Sequence, residues 1–521
     1  MPALQLWENL KGDGLVKTAT SIPISWILGG LFAFVVLRAV FRKVRGQRYE
    51  IVNPSPAWDI FNISSVLAFL GNGLSLVNSG FQKFNGRPFI LYTDVRPKIV
   101  LGPEYIDFVN AEPKLDFLAF VKSEFLTHIP AFKHFDPPGH LIEDMVRTKL
   151  TTNLAKFTVP ISDEASLTLS ELWGDSKEWS THVLKDDLLN LISRLSAVIF
   201  TGGELAHDKE WQKLTVEVTV NGFLGVMECR MFPTFLQYML SKIMPHAVRV
   251  EGDLRRGTAK VQKIMDRRQR EKDDAIKNGE KPPQYVDAIA WLDELAATGK
   301  YGSPNQAIQQ LSLAMAAIHT STDLLTSTLY RIFANPELVQ PLREEMTRVL
   351  GSMGWTKQAL QELRLMDSLL KETQRLQATG ALVMSRVALD DVELPGGIII
   401  KKGEQMAIST HLMQSPNFYE DPDKFEPWRF AKRREDPKLM NKSHLVSTSV
   451  EHTGFSHGKH ACPGRFFASN EIKIAMIHLL LKYDIELVTG ESTKPVTFGT
   501  FVSSNSKAKV RVRRRQEEIS T

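Results

Sequence analysis

The residue with the most distinctive surroundings is Cys462, which lies in the segment GFSHGKHACPG between Gly454 and Gly464. It is one of 2 cysteines in 521 residues. An apolar stretch typical of a helix follows at once, and a helix N-terminus stabilises negative charge, so we expect the thiol to have a lowered pKa. Local features leave three interpretations open: a buried structural cysteine, a nucleophile paired with His457 or His460, and a metal ligand.

Three further patterns contain residues able to hold charge or move protons. In KETQR, Glu372 and Arg375 lie one helical turn apart on one face. That spacing alone is not specific, because Glu345 and Arg348 share it. The second pattern is FEPWRF, which contains Arg429, and the third is AAIHTS, which begins at residue 316 in the middle of an apolar helix.

The segment around Cys462 resembles the haem-binding loop of the cytochrome P450 family. The matching pattern is F-x-x-G-x-x-x-C-x-G, formed by Phe455, Gly458, Cys462 and Gly464. The other three patterns occur in the family's order and approximate spacing. The resemblance implies that Cys462 is the thiolate ligand of the iron of haem b, within a loop that binds the cofactor.

The resemblance also implies roles for charged and polar residues elsewhere. Glu372, Arg375 and Arg429 would form a buried structural network. His460 and Arg386 match positions that bind the haem propionates. Arg147 is a weaker match, because Glu143 stands where the family often has Trp or His.

In AAIHTS, Thr320 matches the hydroxyl that positions water and protons for the cleavage of O2. His319 stands where the family usually has an acid. It is either a core histidine bonded to backbone or a replacement in the proton relay, since histidine titrates near neutrality. Pocket walls are implied at several apolar positions: Ala316, Ala317, Val383, Met384, Phe501, Val502 and the segment 115–125. Each of these could instead be plain core.

Residues 21–41, SIPISWILGGLFAFVVLRAVF, are long and apolar enough for a membrane helix. Basic residues follow from Arg42 to Arg48, which favours a cytosolic location for the rest of the chain. The alternatives are a signal peptide or a core helix. We expect a lumenal N-terminus at 1–20, an anchor at 21–41, a basic and proline-containing hinge at 42–58, and a catalytic domain at 59–521.

Composition and periodicity predict a predominantly helical α+β domain with small marginal sheets, the cytochrome P450 fold by resemblance. Two cysteines exclude a disulfide framework, and there is no CxxC zinc pattern. We expect one helix from Ser303-Pro304 to Asn335 and another from Thr356 to Gln377. The basic run 507–515, KAKVRVRRR, is more typical of a solvated edge strand than of a nucleic-acid patch.

The resemblance implies a membrane-anchored monooxygenase of the endoplasmic reticulum, with its catalytic domain in the cytosol. It would use O2 and electrons from NADPH–cytochrome P450 reductase, with cytochrome b5 as a second donor. The sequence is similar to fungal members of secondary metabolism, so we expect a lipophilic substrate: a terpenoid, or else an indole diterpene or polyketide. Two alternatives are a reductase-independent haem-thiolate isomerase or dehydratase, which Thr320 disfavours, and a non-catalytic haem sensor.

Overall fold

The computed structural model describes residues 48–519 except positions 57, 60, 61 and 303. The expected lumenal segment 1–20, the anchor 21–41 and residues 42–47 and 57 of the hinge therefore lie outside the described residues. Among the residues described, no helix combines the length and the apolar character needed to span a bilayer.

Helices make up most of the described chain, as the sequence predicts. In chain order the α-helices are α1 Ile63–Lys83, α2 Ile106–Ala111, α3 Phe117–Glu124, α4 Leu141–Met145, α5 Thr151–Asn153, α6 Thr158–Trp173, α7 Leu184–Phe200, α8 Lys209–Arg230, α9 Thr234–Ser241, α10 Pro245–Lys277, α11 Ala288–Ala297, α12 Gln306–Ala334, α13 Val339–Met353, α14 Lys357–Glu362, α15 Arg364–Leu376, α16 Arg429–Arg433 and α17 Arg465–Lys482. One π-helical turn, Val146–Leu150, connects α4 to α5.

The strands form small sheets at the margins of the helices. They are β1 Glu50–Ile51, β2 Phe89–Leu91, β3 Lys98–Leu101, β4 Leu115–Asp116, β5 Ser180–Val183, β6 Leu382–Ala388, β7 Val392–Leu394, β8 Ile398–Ile400, β9 Gln405–Ser409, β10 Tyr483–Leu487, β11 Val496–Phe498, β12 Phe501–Ser503 and β13 Lys509–Arg514. The largest sheet has the order β1-β2-β3-β9-β6-β4, a second has β10-β13-β5, and β7-β8 and β11-β12 are two-stranded. The predicted α+β class is confirmed.

Helix α12 runs through the middle of the helical core. It packs against α7, α8, α10, α15 and α17. Its sequence is apolar almost all round, which is typical of a helix surrounded by protein rather than lying on a surface. The main apolar cluster joins residues of all these helices except α8 and α10. This placement brings the middle of α12 and the segment before α17 into one region.

The start of α12 differs from the prediction. The helix begins at Gln306, and Asn305 caps it by accepting a hydrogen bond from the N–H of Ile308 at 3.1 Å. Asparagine is among the best N-cap residues, so it defines the terminus although Pro304 precedes it.

The single helix expected from Thr356 to Gln377 is two helices, α14 and α15. Leu363, with φ −74° and ψ 75°, separates them. The Glu345 carboxylate accepts hydrogen bonds from the N–H groups of Leu365 and Met366, at 2.8 and 3.1 Å. It therefore satisfies two of the donors that a new helix leaves unpaired at its N-terminus.

The basic strand β13 is a central strand rather than the expected edge, because it pairs with both β10 and β5. Its charges are matched by carboxylates on the neighbouring strand. Arg511 lies 2.6 Å from Glu486, and Arg513 lies 3.1 Å from Asp484. The sequence pattern detects the alternation of this strand, whereas its place in the sheet depends on distant partners.

Candidate active site

Cys462 lies at the entrance to α17, where the chain leaves a tightly braced loop. Its N–H donates to the carbonyl of Phe455 at 2.9 Å, which closes the loop predicted to bind haem. The N–H groups of Gly464 and Arg465, at the start of the helix, face the sulfur. Phe455 is partly buried against the main apolar cluster.

Burial raises the pKa of the Cys462 thiol, although the N–H groups of Gly464 and Arg465 act in the opposite direction. The expected lowering of this pKa is therefore wrong for the polypeptide alone, because the cost of desolvating a thiolate outweighs the helix terminus. A metal cation bound at the sulfur would reverse this balance, since a coordinating thiol is deprotonated outright.

Two residues that sequence reasoning missed hold the loop in shape. Asn110, in α2, accepts a hydrogen bond from the N–H of Lys459 at 2.6 Å. Gly458 has a φ of 75°, and a Cβ there would lie 2.2 Å from Asn110 Oδ1, so the glycine serves this close approach. Arg465 donates to the carbonyls of Cys462, at 2.8 Å, and Val446, at 3.0 Å. Only the position of Arg465, three residues after Cys462, could have signalled a role.

An arginine and a histidine lie together beside the loop. Arg386 and His460 both contact the ring of Phe117, at 5.4 and 5.7 Å respectively. Arg386 is 2% exposed, and burial lowers its pKa to about 10. Its Nη2 and the Nδ1 of His460 are buried, and neither has a hydrogen-bond partner among the described residues. Two orphaned nitrogens of this kind are ready to bind an acidic group.

Strand β6 has an irregularity between Val383 and Arg386, and Met384 has a positive φ of 51°. Such bulges re-aim side chains. Arg147, the weaker sequence match, lies in the π-helical turn and donates to the carbonyl of Lys459 at 2.6 Å. It therefore contacts the backbone of the loop.

The middle of α12 presents a small accessible surface inside an otherwise buried stretch. Ala316 and Thr320, one turn apart, are exposed, and Ala317 is half-buried. The hydroxyl of Thr320 donates to the carbonyl of Ala316 at 2.9 Å. His319 is hydrogen-bonded through Nε2 to the carbonyl of Val216 in α8 at 3.3 Å, and burial lowers its pKa.

Glu372, Arg375 and Arg429 lie together in the core. Arg375 contacts both carboxylate oxygens of Glu372, at 2.8 and 2.9 Å, and Arg429 Nε lies 3.1 Å from the same carboxylate. The remaining guanidinium donors of Arg375 reach the carbonyls of Met413 and Pro422, at 2.8 and 2.6 Å. The charges neutralise one another and also fix the loop between β9 and α16.

The predicted pocket residues differ in whether their side chains are accessible to solvent or packed in the protein. Phe501 is 60% exposed, whereas Met384 is 4% exposed and packs among the apolar residues of the large sheet. Val383 packs partly against the same cluster, and Val502 is buried. Ala316 and Phe501 are therefore exposed members of the set, and Ala317 and Val383 are partly accessible.

These residues fit an iron porphyrin. A thiol faces a helix N-terminus, and the buried nitrogen atoms Arg386 Nη2 and His460 Nδ1, which have no partner among the described residues, could bind acidic propionates. A Cβ on Gly464 would meet no atom within 4 Å, so a flat group could lie against that backbone. Among the described residues no group of three or more His, Cys, Asp or Glu side chains could hold a metal ion.

Comparison with known proteins agrees with this arrangement. Residues 140–512 match the family model described as Cytochrome P450. Cytochrome P450 monooxygenase ntnM of Nectria sp is 38% identical over 496 residues, which cover 93% of this chain and 92% of the relative. Cytochrome P450 monooxygenase calE of Penicillium decumbens is 35% identical over 522 residues and covers 99% of both chains. The structure of retinoic acid bound cyanobacterial CYP120A1 shares the fold, with a TM-score of 0.66 at 18% identity, covering 87% of this chain and 96% of that one.

Proposed function

The chain belongs to the cytochrome P450 family and is a haem-thiolate monooxygenase, and from this premise we propose that it oxidises a lipophilic terpenoid in fungal secondary metabolism. An indole diterpene or polyketide is the alternative substrate class. The observation that carries the proposal is the Cys462 thiol at the N-terminus of α17, in a loop whose His460 shares the ring of Phe117 with Arg386, the residue with the unpartnered Nη2.

The residues of the site have distinct proposed roles. When bound, thiolate-ligated haem iron would supply the O2 chemistry, since a thiolate ligand favours cleavage of the O–O bond. Cys462 would bind the iron, while Arg386 Nη2 and His460 Nδ1 would donate to the haem propionates. Thr320 donates its own proton to a backbone carbonyl, so its oxygen lone pairs are free to accept a hydrogen bond from water and hold it in place.

His319 is proposed to act through its tautomer. Since Nε2 faces a carbonyl oxygen, it must carry the proton, and Nδ1 is left as an acceptor. Burial lowers the pKa of this imidazole, so it is neutral at physiological pH and cannot replace the charge of the family's usual acid. Its proposed role is therefore limited to accepting a proton transiently at Nδ1.

The substrate class rests on the apolar and aromatic character of the accessible pocket residues. Ala316 and Ala317 leave room near α12, and the exposed ring of Phe501 offers a large apolar surface. A lipophilic substrate would partition into membranes, which agrees with the proposed anchor at 21–41 in the endoplasmic reticulum. Electrons would come from NADPH–cytochrome P450 reductase, with cytochrome b5 as a second donor.

The first test is a reduced, CO-bound difference spectrum of the full-length chain in microsomes. We expect a strongly red-shifted Soret band that Cys462→Ser abolishes. Cys229→Ser is the matched control, because Cys229 is buried in α8 and the same sulfur-to-oxygen change there should leave the band intact. Loss of the band in both variants, or in neither, would contradict the assignment of the ligand.

The second test addresses partner and substrate. Microsomes with and without added reductase are supplied with NADPH and a panel of diterpenes, indole diterpenes and polyketides. We expect turnover that requires both reductase and NADPH and is confined to one of these classes. Turnover that proceeds equally without reductase would instead support the isomerase alternative.

The third test concerns the proposed membrane anchor. We expect the intact chain to sediment with microsomes and to be released when residues 1–41 are removed.

A further inference from the structure

Asp323 lies in α12 three residues beyond Thr320, and none of the roles above involves it. Its Oδ1 accepts hydrogen bonds from Lys185 Nζ at 2.9 Å, from Ser503 Oγ at 2.8 Å, and from both N and Oγ of Ser504 at 2.8 Å. The side chains of Lys185 and Asp323 are 12% and 13% exposed. Charge-assisted hydrogen bonds are strong when little water competes for them. We call these four residues the Asp323 clasp.

The ammonium group of Lys185 finds all its hydrogen-bond acceptors within the clasp. We therefore interpret the clasp as a structural contact between elements rather than as a ligand site. An ammonium group has three N–H donors. Those of Lys185 have three acceptors: Asp323 Oδ1, Ser503 Oγ at 2.9 Å and the carbonyl of Ser504 at 3.2 Å. A substrate could bind there only by displacing an existing partner.

The clasp joins the hairpin β11–β12 to α12. Elsewhere the hairpin contacts other elements. The N–H of Gly499, in its turn, donates to Leu70 of α1 at 2.9 Å, and Val502 donates to Thr379, before β6, at 3.0 Å. The approach to α1 is close, since a Cβ on Gly73 would lie 2.4 Å from the carbonyl carbon of Gly499. These contacts, together with the bridge between Gly380 and Phe501, hold the turn and the middle of the hairpin against α1 and the segment before β6. The hydrogen bonds to α12 are made instead at the end of β12 and just beyond it.

A second contact lies on the same face of α12. Tyr330 donates from its hydroxyl to the carbonyl of Asn505 at 2.8 Å. Asp323 and Tyr330 are separated by about two helical turns, so both hold the chain that leaves the hairpin against one side of the helix. The carboxylate is the stronger of the two, because it is charged and accepts more donors.

We propose that Asp323 is a positioning residue that determines substrate specificity. By holding Ser503 and Ser504 against α12, it sets the width of the pocket between Phe501, on the hairpin, and Thr320, on the helix. The inference rests on the proposed function, because that function makes this space the substrate pocket. Removal of the carboxylate releases the base of the hairpin and favours bulkier ligands.

The first readout is hydrogen exchange of the amides of residues 496–505 in the purified full-length protein. We expect exchange to accelerate about tenfold or more in Asp323→Ala, the change that corresponds to losing one charge-assisted hydrogen bond. Asp484→Ala is the matched control, because Asp484 is also a partly buried carboxylate, paired with Arg343 at 3.1 Å on the β10 sheet. It should leave exchange in 496–505 unchanged. Unchanged exchange in Asp323→Ala would overturn the clasp.

The second readout is the ratio of the dissociation constants of imidazole and phenylimidazole, measured by absorbance. A merely structural weakening would lower both affinities together. We expect the ratio to shift about tenfold towards phenylimidazole in Asp323→Ala, with a smaller shift in Asp323→Asn, which keeps the shape of the side chain. A ratio that stays constant while exchange accelerates would overturn the specificity role.

If Asp323→Ala does not fold, Ser504→Ala replaces it, since this change removes a single donor to the carboxylate. The two readouts also separate this inference from the proposed function. A wild-type protein that gives no azole spectrum would contradict the haem site, whereas the exchange experiment would still test the clasp.

Discussion

The network around Glu372 gives a stability prediction that can be worked from its contacts. Glu372→Gln removes the negative charge that faces Arg375 at 2.8 Å and Arg429 at 3.1 Å. The side chains of Glu372 and Arg375 are 0% exposed and that of Arg429 is 9% exposed, so water cannot replace the lost partner. Breaking a buried ion pair from one side costs about 3–5 kcal/mol. Because two cations lose one shared anion, we expect the upper end of that range.

Chemical denaturation followed by tryptophan fluorescence measures this loss directly. A cost of about 5 kcal/mol would consume a third or more of the stability of a typical domain, so the variant should unfold at a much lower denaturant concentration. Glu344→Gln is the control, because Glu344 is exposed and accepts one hydrogen bond from Gln340, and its free energy of unfolding should change by less than about 0.5 kcal/mol. A Glu372→Gln variant within about 1 kcal/mol of the wild type would refute the idea that this carboxylate neutralises the two arginines.

Three further predictions concern other parts of the site. Arg386→Met removes a buried donor proposed for a propionate, so the haem-to-protein absorbance ratio should fall, with affinity reduced about tenfold; full retention would contradict that role. Asn110→Ala removes the acceptor of the Lys459 N–H, so the amides of residues 454–464 should exchange several-fold faster, consistent with about 1 kcal/mol, and no change would show that the loop is held by other contacts. Glu471 accepts a hydrogen bond from Ser196 at 2.7 Å, and burial raises its pKa from 4.5 to about 8. Between these two pH values the folded state keeps a proton that the unfolded state loses, so the free energy of unfolding falls as the pH rises from 4.5 to about 8. Glu471→Gln should flatten this part of the pH profile in urea titrations, whereas an unchanged slope would contradict a protonated Glu471.

The features that the sequence predicts correctly depend on short spacings. The pattern around Cys462 spans about ten residues, and the pair Glu372 and Arg375 lies on one turn of α15. The helical class follows from periodicity over long stretches, which is the most reliable sequence signal. In each case the interacting residues are close along the chain, so their spacing in sequence determines how they are arranged in space.

Features that depend on distant partners could not be predicted. Asn110 braces a loop 349 positions further along the chain, and Asp323 accepts from Ser504, 181 positions away. The break at Leu363 is equally invisible locally, because the cap that permits it comes from Glu345 on another helix. Glu345 and Arg348 have the same spacing as Glu372 and Arg375. That spacing gives no indication that Glu345 caps α15, the helix that contains Glu372 and Arg375.

At the π-helical turn Val146–Leu150, the number of residues matters for the geometry of the site as much as their identity. The turn holds one residue more than an α-helical turn would, and Arg147, within it, reaches the carbonyl of Lys459 at 2.6 Å. Deleting one residue after Arg147 would restore the ordinary spacing and rotate the two flanking segments relative to each other by about 100°. A conservative substitution at Thr148 would leave the frame of the helix intact, whereas a one-codon deletion there would separate Arg147 from the loop or would shift Leu154, just after α5, out of the main apolar cluster. In this chain, insertions and deletions at this turn are therefore a route to a changed site that substitution scans would not detect.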